Sequence, residues 1–391
     1  MAVVAAWLVA AAFLWRTKVP GDLHLPRLSP ADFFSAAQRR RAEHYDSIAT
    51  LLYLLAIAVE LAILVVLALL GRRLARGFAL GQIGAGVMIA VAANLLVWAG
   101  ALPIGIVGQW WDRRYGLSRR SYGSFVGQQA IGLLLQTATV AIVLAIVMLI
   151  ARRLQRRWWV VVAPLFAAVG AGLVVLFAVI ASASAHKLHE PRVAPAIEHV
   201  AAREGVPQTK IRVQDVSDET RAVNAETTGL GPTTVVLLWN TLFKSKLSDR
   251  AIEFVAAHEL GHAARRHVLK GVAWGLLFSL PLTFLLAALT RRRGGIHRAE
   301  VVPYALLVSA VLGLLSTPLQ NVVARRYEGE ADWLALQATH DPAAGREAFR
   351  SFTRVDLAEP DPPWWDYVLL ENHPTVIQRI AMTKAWERRA R

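Results

Sequence analysis

Residues 255–289 read VAAHELGHAARRHVLKGVAWGLLFSLPLTFLLAAL. The first part carries His258-Glu259-Leu260-Gly261-His262. The second, from Val268 to Leu289, is an apolar run whose single charge, Lys270, lies near one end. A run of this size matches the ~20 residues that a helix needs to cross ~30 Å of hydrocarbon, and it is too long for an ordinary core helix. The stretch therefore predicts a polar, ligand-bearing helix set directly against a membrane span.

Working outward, six further apolar runs appear at residues 2–15, 48–70, 79–107, 130–150, 159–183 and 301–319. The expectation is a mainly α, multi-span bundle of about seven transmembrane helices. Run 2–15 is short. No basic segment precedes it, while Arg16 and Lys18 follow, so it reads as a short first span in preference to a signal peptide. Over all 391 residues, 55% are hydrophobic and 18% charged, which excludes a disordered chain and argues against a soluble globule. The absence of cysteine excludes disulfides, thiolate metal sites and a cysteine nucleophile.

The net charge of +15 comes from arginines that punctuate the apolar runs, such as Arg72, Arg73 and Arg76, or Arg152, Arg153, Arg156 and Arg157. That pattern predicts contact with a lipid bilayer and no nucleic-acid partner. Tryptophans mark several run edges (Trp110, Trp111, Trp158, Trp159), as at a headgroup boundary. Both sets of loops are basic, so charge does not set orientation. Glu60, Asn94 and Gln136 fall inside runs. They predict either a polar chamber between helices or hydrogen bonds that glue the bundle.

Two stretches are polar, which divides the chain into residues 1–183 (five spans), 184–267 (a small α+β segment), 268–320 (two spans) and 321–391 (a second polar segment). In the first polar stretch, 194–204 has helical periodicity with Gly205 as its cap. Residues 210–216, 224–228 and 233–239 read as strands, with a turn at Gly229–Pro232. Ser248 caps a helix over 250–267.

In that helix, His258 and His262 are one turn apart on one side, the placement that two ligands of a tetrahedral zinc require. Glu259 stands beside them, within reach of a water held there. The pattern occurs by chance on the order of once in a hundred chains of this size. A third ligand is needed. Histidine six residues after His262 would supply it in one known arrangement, but that position is Val268. The other arrangement takes a glutamate from a later helix, and Glu328 is the candidate, in Arg325-Arg326-Tyr327-Glu328-Gly329-Glu330-Ala331-Asp332. Asp332, on the same face, would accept the free N–H of a ligand histidine. Glu330 is expected to point away into solvent and His267 to lie on the surface at the helix end. The implied cofactor is one Zn2+ per chain. A structural zinc in a scaffold or transporter is the rival, but such sites are closed by four protein ligands, whereas three ligands plus an adjacent base favour an open site.

These motifs resemble the membrane-integral zinc metalloproteases of the type I CAAX prenyl protease group and, more distantly, HtpX-type proteases. The resemblance rests on His258–His262, on Asn321…Arg325…Glu328…Ala331-Asp332, on Asn224-Ala225…Gly229-Leu230-Gly231 and on His373-Pro374…Arg379-Ile380. Arg114-Tyr115-Gly116-Leu117-Ser118 looks like the family's loop after the third span. The resemblance implies a gluzincin-type metalloendopeptidase with His258, His262 and Glu328 on zinc and Glu259 as general base. His373 would stabilise the oxyanion, Asp332 would orient a ligand and Arg379 would brace its loop. Asn224 and Ala225 would pair with a peptide substrate, and Asn321 and Arg325 would line the same cleft. The substrate would be a peptide or membrane protein, lipidated in some family members. The helices would enclose a chamber, with the catalytic domain in the cytoplasm. The sequence departs from the family at Asn240, where an aspartate is usual, and at Ala324, where a serine is common. Neither position is a zinc ligand.

Overall fold

The computed structural model describes residues 2–390. Helix α1 spans Ala2–Leu14 and α2 spans Ala36–Arg76. Ser35 starts α2 through a reciprocal box in which its hydroxyl accepts the Gln38 N–H and the Gln38 side chain accepts the Ser35 N–H. Helix α3 (Gly81–Tyr115) stops at Gly116, whose φ of 79° is left-handed. Helices α4 (Tyr122–Leu154) and α5 (Trp158–Ser184) meet at a short turn where Gln155 takes a φ of 47°.

The chain then leaves the apolar register. Strand β1 (His186–Lys187), α6 (Ala194–Arg203), β2 (Lys210–Gln214), β3 (Ala225–Thr228), β4 (Val235–Trp239) and α7 (Asn240–Lys244) follow, then α8 (Asp249–Ala264). The sheet order is β1-β2-β4-β3. β2 and β4 run parallel and β3 runs antiparallel to β4, which leaves β3 as an edge. Central β4 is apolar at Val235–Leu238 and fully buried there, as a strand covered on both faces must be. The tight β3–β4 turn needs Gly229: its φ is 89°, and a Cβ there would sit 2.2 Å from the Thr233 carbonyl oxygen.

Helices α9 (His267–Arg291) and α10 (Val302–Thr339) come next, followed by α11 (Pro342–Arg354), α12 (Trp364–Leu369) and α13 (Val376–Ala390). α10 begins as an apolar span and continues without a break into the segment holding Glu328, so the 320/321 division falls inside one helix. α8 packs against α6, β3, α10 and α11 over a core that includes Ile252, Phe254, Leu260, Leu336, Phe349 and Ile380.

Among the described residues, five helical segments are long and apolar enough to cross a membrane: 36–76, 81–115, 122–184, 267–291 and 299–339. Segment 122–184 comprises α4 and α5 and so holds two of the expected runs. Run 2–15 forms α1, whose 13 residues extend only about 20 Å. Instead of standing alone, α1 docks on α9 and α10. The Trp7 indole donates to the Leu277 carbonyl (2.9 Å), and the Tyr327 hydroxyl donates to the Leu14 carbonyl (2.9 Å). Large apolar side chains on the spans face outward, Leu69, Leu134 and Leu315 among them. Such a surface calls for lipid. Asn94 donates to the Thr137 hydroxyl (2.7 Å), joining α3 to α4, and so acts as helix–helix glue. Glu60 is half-buried and Gln136 is exposed.

Candidate metal centre

Ser248 opens α8 by accepting the Ala251 N–H (3.2 Å). The Ile252, Ala256 and Leu260 side of the helix is sealed into the core, which fixes its rotation. Gly261 lets α10 come close: a Cβ there would lie 3.3 Å from the Leu334 Cβ. The result is that Glu328 on α10 faces the histidine pair on α8.

The three candidate ligand groups converge, with both carboxylate oxygens of Glu328 facing the two imidazoles. His258 Nε2 and His262 Nε2 are 3.1 Å apart. Glu328 Oε2 lies 3.2 Å from His258 Nε2, and Glu328 Oε1 lies 3.4 Å from His262 Nε2. Zinc–nitrogen and zinc–oxygen bonds of about 2.0 Å span tetrahedral edges of about 3.3 Å, so these spacings suit a zinc ion. Glu328 Oε2 is buried and receives no hydrogen-bond donor, as expected of an oxygen kept for a cation. Although burial opposes its charge, His258 is raised to about 10 by the carboxylates of Asp332 and Glu328. The pocket is built to hold positive charge. Among the described residues this is the one such group, which fits one Zn2+ per chain.

Each histidine has a partner behind it. His258 Nδ1 is 2.9 Å from Asp332 Oδ1. That carboxylate is fully buried and is gripped by Arg379 through Nε (2.9 Å) and Nη2 (2.6 Å). Arg379 thus pairs with Asp332 and does not simply brace its own loop. His262 Nδ1 is 3.1 Å from His267 Nδ1, and His267 Nε2 is 3.1 Å from Glu330 Oε2. A carboxylate can only accept, so His267 donates from Nε2. Its Nδ1 then accepts from His262 Nδ1–H, which leaves the His262 Nε2 lone pair free for metal.

Two expectations are corrected here. Glu330 is not solvated but fully buried, and it also accepts from Arg265 Nε (2.7 Å) and the Lys18 N–H (2.9 Å). His267 is not a surface residue but 4% exposed, stacked on Tyr327 at 4.5 Å. The reason is a break in the expected 250–267 helix: α8 ends at Ala264 and Arg266 turns left-handed (φ 52°). His267 therefore opens α9 and faces α10.

Glu259 is buried beside these ligand groups. The Thr227 hydroxyl, on edge strand β3, shares its one proton between the Glu259 backbone carbonyl (2.7 Å) and carboxylate (3.0 Å). Sequence reasoning passed over Thr227, although it shares a strand face with Ala225. A cleft of about 340 Å³ opens on the site, lined by Asn224, Ala225, Thr227, Glu259 and His373 and floored by Phe254, Phe349 and Phe352. His373 is half exposed, with Nε2 3.3 Å from Glu328 Oε2. Asn321 donates to the Leu369 carbonyl (3.0 Å) and lines a neighbouring cavity with His262 and Glu328. Arg325 donates to the Tyr367 (2.8 Å) and Glu371 carbonyls and lies over the Tyr367 ring.

Fold and site together define a membrane-embedded zinc metalloendopeptidase of the H-E-x-x-H…E type. Residues 187–387 match peptidase family M48, and residues 11–182 match the CAAX prenyl protease N-terminal region of five membrane helices. The chain belongs to peptidase family M48. It is 24% identical to the uncharacterized metalloprotease YhfN of Bacillus subtilis, across 94% of this chain and 92% of that one. It is 28% identical to a protease HtpX homolog of Kineococcus radiotolerans, across 47% of this chain and 69% of the homolog. Its fold matches the crystal structure of S. mikatae Ste24p with a TM-score of 0.75, at 18% identity and over 96% of both chains.

Proposed function

We propose that this peptidase cleaves membrane-associated or lipidated peptide and protein substrates, bound as an added strand along β3. The observation that carries the reading is the position of that edge. Asn224–Thr227 forms one wall of the metal cleft, with its outer backbone groups unpaired by the sheet. The Asn224 carbonyl accepts the Trp239 N–H (3.0 Å), so the ladder holds this wall in place.

Zinc held by His258, His262 and Glu328 would supply Lewis acidity and lower the pKa of a bound water to about 7. Glu259 takes the proton of the attacking water on its carboxylate and passes it to the leaving amine. Thr227 holds that carboxylate in position throughout. Asp332 fixes the ring of His258, while His373, at the cleft mouth, donates to the oxygen on which charge develops. Asn224 and Ala225 offer main-chain groups to the peptide, and Asn321 and Arg325 act from outside the cleft by anchoring the carbonyls of residues 367–371, just before His373. The reading includes seven crossings, counting α1, around a chamber, with the catalytic unit in the cytoplasm. A closed structural zinc is disfavoured by the 340 Å³ cleft that opens on the three ligands.

The test compares one peptide with and without a prenyl group, on enzyme in lipid vesicles. The reading predicts a KM at least tenfold lower for the lipidated form. Equal cleavage of both forms would contradict it.

A further inference from the structure

Next to the metal cleft lies a second cavity of about 510 Å³, sharing Leu247 and Ser351 with the cleft wall. Arg119, Arg221, Lys244, Lys246 and Arg354 line it, against the single carboxylate of Glu347. That carboxylate is already engaged: one oxygen accepts the Ser248 N–H and the other its hydroxyl, both at 2.7 Å. Among the described residues none of the five cations enters an ion pair. Arg119 donates to the Ser217 carbonyl (2.8 Å) and Lys244 to the Ser217 hydroxyl (2.7 Å), both neutral.

All five cations are exposed, yet they gather around one cavity. Lys244 and Arg354 end helices α7 and α11, where a cation complements the helix dipole. Arg119, Arg221 and Lys246 have no such role and come from three separate loops. Convergence of like charges from separate segments raises the local potential for an anion. A neighbouring cavity is lined by acids instead. It measures about 370 Å³, shares Asn224, Phe352, His373 and the Asp332-paired Arg379 with the cleft, and carries Asp46, Asp356, Glu359 and Glu371. An anionic group on a cleft-bound peptide therefore finds cations without carboxylate partners in the basic cavity and not in this one.

We propose that the basic cavity is a substrate subsite for a carboxylate, supplied by an acidic side chain or by the C-terminus of the peptide lying in the cleft. The cavity continues the cleft over Leu247 and Ser351, and four of its five cations stand on the catalytic unit, with Arg119 coming from the α3–α4 loop, which favours a peptide over a lipid headgroup. The inference rests on the peptidase reading, and it adds a charge requirement to it.

The test uses full-length enzyme in neutral phosphatidylcholine vesicles and three versions of one cleavable peptide: a free C-terminal acid, a C-terminal amide, and an amide with a glutamate near its C-terminus. Wild type is compared with Lys246→Ala/Arg354→Ala and with the charge-keeping Lys246→Arg/Arg354→Lys. The expected result is a KM roughly three- to tenfold lower for an acidic peptide than for the neutral amide. The advantage vanishes in the alanine variant and in high salt, returns in the charge-keeping variant, and leaves kcat on the neutral amide unchanged. Preference for the free acid alone assigns the cavity to the terminus, and preference for both acids assigns it to either carboxylate. Equal KM for all three peptides in wild type overturns the proposal while leaving the peptidase reading intact. A variant defect that ignores peptide charge, or that appears as lost binding to phosphatidylglycerol vesicles, also overturns it. Failure of wild type to cleave any of the three overturns the peptidase reading and the subsite with it.

Discussion

The catalytic unit and the membrane spans bury opposite things. In α8 the interior holds charge: His258 and Glu259 are buried together with Ile252 and Leu260. Asp332, Glu330 and Arg379 are buried around them, and each is paired. Across the apolar windows of the spans only 17–39% of residues are buried, and the large apolar side chains face outward. One half thus encloses paired charges within an apolar core, and the other turns its apolar side chains to a solvent that must be lipid. α10 belongs to both, starting as a span and ending as a ligand helix.

The sharpest way to break this comparison is at the base. Glu259→Gln keeps the size and the Thr227 contact but cannot take a proton. The expected loss in kcat is about 10²–10⁴-fold with zinc content unchanged, read by steady-state kinetics and metal analysis. A variant as active as wild type would remove Glu259 from its role. Next come the polar partners. Asp332→Ala is expected to weaken zinc binding about 10–100-fold in a chelator competition, and His267→Ala to act in the same direction through His262. Unchanged affinity in both would mean that the buried pairs serve folding alone.

The packing of the two halves can be compared directly. Leu336, fully buried against α8, should cost about 2–5 kcal/mol when cut to alanine, measured by thermal unfolding in detergent. Leu134, 71% exposed on α4, should cost almost nothing under the same conditions. Equal losses would contradict the assignment of Leu134 to the lipid face.

The smallest effect concerns an unpaired acid. Both carboxylate oxygens of Glu204 are buried without partners, and burial pushes the group up to about 8. The folded state then holds a proton that the unfolded chain has released, so this residue's contribution to stability declines as pH rises from about 4.5 to about 8. Glu204→Gln should raise Tm at pH 8 and leave it nearly unchanged at pH 4.

Much of this was legible in the residues. Two histidines at helical spacing need no tertiary knowledge to share a face, and Glu328 with Asp332 repeats the same arithmetic. Strand β2 follows from alternation, and β3 and β4 from the Gly229 turn between them, whereas the two-residue β1 left no pattern to read. The outer support of the metal site was not legible, because it depends on where a helix breaks. Periodicity runs smoothly through Arg265–Arg266, yet the left-handed turn at Arg266 sends His267 into α9 and buries Glu330 beneath it. Likewise no spacing rule links Arg379 to Asp332, 47 residues earlier; only the packing of α13 on α10 and α11 does so. Run 2–15 has the composition of a span, but its partners on α9 and α10 became visible only in three dimensions.

The central claim is that His258, His262 and Glu328 hold one zinc ion. Metal analysis of purified wild type beside Glu328→Ala tests it most directly. One zinc per chain in wild type, with most of it lost from the variant, is the predicted result. Zinc retained in full by Glu328→Ala, or absent from an active wild type, would contradict the account.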